Sequence, residues 1–134
     1  MDNETLCWVW LAEALGPGAA GLGDLMRAVS APELWGMDRL QRAALGLLTP
    51  AQLRRLEQPE PVKKANEIGA RCAHLGIEMV TPADPCYPAL LREIDAPPPV
   101  LYLRGSLDCL RGRPAVAVVG SRRATCLLYT SRCV

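Results

Sequence analysis

Near its C-terminal end the chain reads AVAVVGSRRAT over residues 115–125. Ala115–Val119 is apolar on both faces, the pattern of a strand in the middle of a parallel sheet. Open α/β sheets gather ligands at the carboxyl ends of their strands, and this strand delivers Gly120, Ser121 and Arg122 to such an edge. Gly120 lets the backbone come close to a ligand. Ser121 brings a hydroxyl donor, and Arg122 a forked, permanently charged pair of donors matched to phosphate oxygens. Thr125 is placed to cap a following helix, whose first amides would add to an anion site. The chemistry is recognition of a phosphate-bearing ligand. The turn is neither a dinucleotide fingerprint, having one glycine where three are needed, nor a P-loop, lacking the second glycine and the Lys-Ser/Thr pair.

Charge is distributed to match. Residues 1–103 hold nine Lys/Arg against thirteen Asp/Glu, whereas residues 104–134 hold six arginines against Asp108 alone. The split fits an anion-facing surface in the C-terminal part, or a solvated basic rim. Half of the 134 residues are hydrophobic, enough for a real core and against disorder. Cysteines 7, 72, 86, 109, 126 and 133 show no C-x-x-C spacing, and the single histidine, His74, completes no zinc set, so reduced thiols and no metal are expected. The first fifteen residues contain Glu4 and Glu13 and no basic region, which excludes a signal peptide or membrane span there.

The elements that must position the turn change character near residue 75. Before it, the pattern is helical. Thr5–Leu15 places Leu6, Val9, Trp10 and Leu15 close to one face, and a second helix covers about Leu22–Val29. Ser30-Ala31-Pro32-Glu33 and Thr49-Pro50-Ala51-Gln52 have capping-box spacing, and Asp38 is placed to cap a short helix through Leu45, closed by Gly46. Pro61–Leu75 carries Val62, Ala65, Ile68, Cys72 and Leu75 on one stripe and stops at Gly76. His74 lies in its last turn, where positive charge suits the helix dipole. The stretch LGPGAAGLG, residues 15–23, resembles the glycine-rich turn of a helix-hairpin-helix. It contains no Lys or Arg, which favours a plain interhelical turn.

After Gly76 the expectation is a strand over Ile77–Val80, a loop TPADPCYP, one or two helical turns over Pro88–Ile94, and a stiff connector at Pro97–Pro99. A second strand follows over Val100–Leu103, a short helical link over Leu107–Leu110, and the third strand over Ala115–Val119. Strand, helix, strand, helix, strand is the opening of an α/β fold. The fold class is therefore α+β overall, a helical domain (residues 1–75) followed by the first strands of an α/β domain (residues 76–125). Tyr87 is expected to pack the short helix onto the sheet, and Tyr102 to sit within a strand.

The run Y-P-x-L-L at 87–91, P-P-x-V-L-Y-x-R-G at 97–105 and V-A-V-V-G-S-R-x-x-T at 116–125, entered by Asp84-Pro85-Cys86-Tyr87-Pro88, strongly resembles the bacterial DNA-processing protein A family (DprA, also called Smf). The resemblance is specific from Gly76 to Thr125 and loose through the helices. It implies a SAM-like helical domain and an extended Rossmann-like domain. It implies binding of single-stranded DNA in the cytoplasm and its delivery to the RecA recombinase during natural transformation. In that family the G-S-R turn lines a basic pocket for DNA phosphates, which falls here on Gly120, Ser121 and Arg122. No cofactor and no membrane are implied, and a homodimer would form through sheet beyond this stretch.

After Thr125 the resemblance breaks, and residues 126–134 are expected to be a non-native tail that leaves the phosphate pocket without its following helix and single-strand binding weak or absent. Two other readings remain open. One is a Rossmann-like enzyme that binds or hydrolyses a nucleotide. The turn could seat its phosphate, but Asp84, Glu93, Asp95 and Asp108 are scattered with no paired geometry. The other is a helical interaction module in residues 1–75.

Overall fold

A computed structural model describes residues 2–16, 18–108 and 116. Its helices begin where a side chain can answer the first free amides. Asp2 opens α1 (Asn3–Leu15), its carboxylate accepting the Thr5 amide, and the helix therefore starts two residues before the apolar pattern does. After α2 (Leu22–Ala28), three short helices are each set by a complete capping box. Ser30 and Glu33 open α3 (Ala31–Gly36), Asp38 and Gln41 open α4 (Arg39–Ala44), and Thr49 and Gln52 open α5 (Pro50–Leu56). In the first, the Glu33 amide reaches Ser30 Oγ at 3.4 Å while the Ser30 amide donates to Glu33 Oε2 at 2.8 Å.

The box has a pH signature. Hydrogen bonds from the Ser30 hydroxyl and then the Ser30 amide hold the Glu33 carboxyl below the ordinary glutamate value. A carboxyl depressed in the folded state stabilises fully above its unfolded pKa, and that contribution is lost as pH falls through the folded value. An NMR titration of Glu33 should show a lowered midpoint that rises in Ser30→Ala. An unchanged midpoint in the variant would contradict the box.

The long helix α6 (Pro59–Leu75) starts two residues before the expected Pro61. Both prolines are tolerated because the first-turn amides they lack have no intrahelical partner. Its buried stripe runs through Pro61, Ala65, Gly69 and Cys72, with Val62 and Ile68 packed at its edge and Leu75 exposed. Gly76 ends it in the left-handed conformation, φ 62°.

Helix α1 is buried on every side rather than along one face. Cys7, Trp8, Val9, Trp10 and Leu11 are all buried, and five consecutive residues exceed one 3.6-residue turn. A helix apolar all round belongs inside a core, and α1 packs against α3, α5 and α6. Leu22, Leu25 and Leu34 complete the same cluster, which Val100 joins and Met79 flanks from the strand region. Trp10 lies edge-on to Trp35, with ring centroids 4.8 Å apart and planes at 77°. Arg42 of α4, only 9% exposed, lays its guanidinium 5.4 Å from the Trp10 ring. It also donates to the carbonyls of Leu34 at 3.0 Å and Trp35 at 3.1 Å, satisfying acceptors at the end of α3.

The strands are β1 (Glu78–Val80) and β2 (Leu101–Leu103), with α7 (Ala89–Arg92) between them. They pair antiparallel, in the register Glu78 to Leu103, Met79 to Tyr102 and Val80 to Leu101. This differs from the opening of a parallel α/β sheet. A parallel pair needs a crossover, usually a helix long enough to return along the sheet. Four-residue α7 rises only about 6 Å, and the segment around it folds back on itself. Among the described residues the protein is mostly helical with this one small sheet, and no helix is long and apolar enough to cross a membrane.

Candidate nucleic-acid interface

The segment between the strands contains six prolines, at 82, 85, 88, 97, 98 and 99. Proline contributes a carbonyl and no amide donor, so acceptors outnumber backbone donors and side chains must answer them. Tyr87 and Arg92 do so, and Asp84 shapes the turn that precedes them. Asp84 closes the first turn, its Oδ2 accepting from the Thr81 amide at 2.7 Å and the Thr81 hydroxyl at 2.8 Å. The Asp84 amide returns a bond to the Thr81 carbonyl, and the Tyr87 amide donates to the Asp84 carbonyl. Tyr87, 3% exposed, donates its hydroxyl to the Pro98 carbonyl at 2.8 Å. Arg92 donates to the carbonyls of Pro82 at 2.8 Å and Asp84 at 3.0 Å, and its guanidinium lies 5.5 Å from the Tyr87 ring.

The D-P-x-Y-P run is therefore a clasp that holds the two strands' connecting segment closed. Tyr87 packs, as its place in the sequence implies, and its hydroxyl anchors the proline connector rather than standing open to stack on a base. Burial pushes its phenol up, against an opposing pull from Arg92. Tyr102 stands half-exposed on β2. Burial, and then the charges of Glu13 and Cys72, push its phenol up as well. Neither Arg42 nor Arg92 stood out in the sequence. For Arg92 the readable signal is the excess of proline carbonyls around it.

Gly120, Ser121, Arg122 and Thr125 lie outside the described residues. So do residues 126–134, the third strand apart from Val116, and the end of the Leu107–Leu110 link. The described chain leads toward them through exposed Arg104 and Gly105, whose φ of 102° turns the backbone after β2. Asp84 is engaged by Thr81, Asp108 by the Ser106 hydroxyl, and among the described residues no three His, Cys, Asp or Glu side chains gather to hold a metal. Cys7 and Cys72 are buried free thiols and Cys86 is a half-buried one. Burial, and then the charge of Glu4, pushes the Cys7 thiol up, which makes it unreactive.

The glycine-rich turn before α2 is not an open row of amides. The amide of Gly16 donates to Ala12, that of Leu22 to Ala19, and that of Gly23 to Asp95 at 3.1 Å. Gly23 is where the proline-rich segment crosses the start of α2.

Comparison with known proteins bears on the same segment. The family model described as DNA recombination-mediator protein A matches residues 78–132, from β1 through the G-S-R turn and past Thr125. Protein Smf of Synechocystis sp. is 49% identical over 51 residues, a stretch covering 36% of this chain and 13% of that relative. No solved structure matches the chain. Over residues 78–132, which hold the clasp, both strands and the G-S-R turn, the chain is similar to the DNA recombination-mediator protein A (DprA/Smf) family, and it spans only a small part of the relative it matches.

Proposed function

We propose that the protein binds single-stranded DNA through its backbone phosphates and acts, without catalysing a reaction of its own, in loading RecA onto incoming DNA during natural transformation in the cytoplasm. The observation that carries this reading is the family match over residues 78–132, which spans Gly120, Ser121, Arg122 and Thr125. In this reading Arg122 supplies the charge and fork geometry for a phosphate. Gly120 admits the strand, Ser121 donates from its hydroxyl, and Thr125 stands at the cap position of the helix that would complete the anion site. The helical residues 1–75 form one unit and residues 76–125 begin the Rossmann-like one. Partners are the DNA strand, RecA and a second copy of the protein.

The test is fluorescence anisotropy of labelled oligo(dT) against salt concentration. Binding should weaken linearly in log–log form, as expected when phosphates release counterions. Arg122→Ala should lower affinity about tenfold and reduce the slope by about 0.7, the share of one phosphate on a single strand. An Arg122→Ala protein with unchanged affinity and slope would refute the phosphate role. Nucleotide hydrolysis that depends on Arg122 would favour the enzyme reading instead.

A further inference from the structure

Four of the nine basic residues in 1–103, and none of the thirteen acidic ones, fall within residues 39–56. These are Arg39 and Arg42 on α4 and Arg54 and Arg55 on α5, two helices that pack together. Arg39, Arg54 and Arg55 are exposed. Arg39 meets Glu57 at 3.3 Å in a solvent-facing pair, an interaction of small strength that a phosphate can displace. An otherwise acidic helical region thus concentrates its exposed arginines on this helix pair.

The same helix pair, through Arg42 of α4 and Leu56 of α5, lines a cleft of about 210 Å³ together with Trp10, Trp35, Pro59 and Val62, with Glu57 and Gln58 also on its wall. The volume is below the roughly 300–1,000 Å³ of pockets that enclose a whole ligand, and suits one planar ring group. Trp35 is 36% exposed, the one tryptophan of three that is not buried. Its position is fixed beforehand, because its ring meets Trp10 edge-on and its carbonyl accepts from Arg42. A pre-positioned ring gives contact area at little cost in side-chain freedom. Glu57 and Gln58 offer an acceptor and an amide, groups that pair with the edge of a base.

We propose that Trp35 and the α4–α5 arginines form a second contact for single-stranded DNA on the helical region, in which an unstacked base enters the Trp35 cleft while its neighbouring phosphates lie along Arg54 and Arg55. A basic track beside an aromatic platform is how single strands are held without reading their sequence. The proposal rests on the reading that the protein binds single strands. It adds a base contact independent of the G-S-R turn, on the opposite half of the sequence.

The experiment compares the full chain's binding to oligo(dT) and to an abasic phosphodiester strand of equal length at low salt. The wild type should prefer oligo(dT) about tenfold, within the range for stacking of one base on an aromatic ring. Trp35→Ala should abolish the preference, and Trp35→Phe should keep it. Oligo(dT) should quench the tryptophan emission of the wild type and of Arg122→Ala but not that of Trp35→Phe, which binds without the reporting ring. Arg54→Ala with Arg55→Ala, both exposed and harmless to folding, should reduce the salt slope by about 1.4 on either strand.

Equal affinity for the two strands, or a preference that survives Trp35→Ala, overturns the proposal while leaving the phosphate reading intact. Arg122→Ala without effect, beside an intact Trp35-dependent preference, overturns the phosphate role and leaves this one standing. Absence of all binding overturns both. Saturable binding of an acidic peptide in the cleft, with no effect of DNA on tryptophan emission, would make the site a protein contact and refute the DNA assignment.

Discussion

Replacing Tyr87 by alanine is expected to lower the unfolding free energy by about 3–5 kcal/mol, the cost of emptying a buried aromatic site. Against a typical total of about 5–15 kcal/mol this is a large fraction. Two contributions add at this position. The ring is buried under the Arg92 guanidinium, and the hydroxyl answers a Pro98 carbonyl in a segment short of backbone donors. Tyr87→Phe separates them, because it removes only the hydroxyl and should cost about 0.5–1.5 kcal/mol. Urea unfolding of the three proteins measures both. A loss under about 1 kcal/mol for Tyr87→Ala would mean that the clasp does not hold the segment and that the ring is dispensable to the fold. Because the clasp joins β1 to β2, the same variant should also expose the backbone amides of both strands to faster hydrogen exchange.

Gly23→Ala tests the other crossing point and should cost about 2–4 kcal/mol. A methyl group built on Gly23 overlaps the carbonyl oxygen of Asp95, and comes within 3.1 Å of its carbon and 3.3 Å of Pro97 Cδ. Backbone is the obstacle, so no rotamer change relieves it. The hydrogen bond from the Gly23 amide to Asp95 must lengthen as the segment moves away. Alanine ordinarily gains up to about 1 kcal/mol over glycine within a helix, and here that gain is outweighed. Gly36 at the end of α3 provides the control, since a methyl group there meets nothing within 4 Å. Gly36→Ala should be neutral or stabilising by about 0.5 kcal/mol. Equal stability of the two variants would show that the proline-rich segment yields freely to α2.

What the sequence made legible follows the range of the interactions involved. The boxes at Ser30 and Thr49 and the cap at Asp38 could be read directly, because a cap is chemistry among residues three apart. The residues around Tyr87 and Pro98 could be recognised by their order, and the family match bears that out. The burial of α1 on all sides was not legible. The spacing of its apolar residues points to one face, whereas coverage of a second face depends on helices that arrive later in the chain. Strand direction escaped for a similar reason. Alternation predicts a strand, but direction is decided by what happens over the twenty intervening residues, where the Asp84 carboxylate closes a turn and the side chains of Tyr87 and Arg92 bind carbonyls. Arg42 reads as a surface cation in a helix and is instead buried against Trp10. The phosphate turn itself was visible only as a motif, and Gly120, Ser121, Arg122 and Thr125 lie beyond the described residues.

The burial of the middle of α1 on all sides has a consequence for the order in which the protein is made. Helix α1 leaves the ribosome before the helices that cover it, and α6, one of its main neighbours, is finished only sixty residues later, at Leu75. At about 5–20 residues per second, that interval lasts roughly 3–12 s. During it the side of α1 that α6 covers has no final partner. The nascent chain is therefore a natural client for a ribosome-bound chaperone until the long helix closes over it.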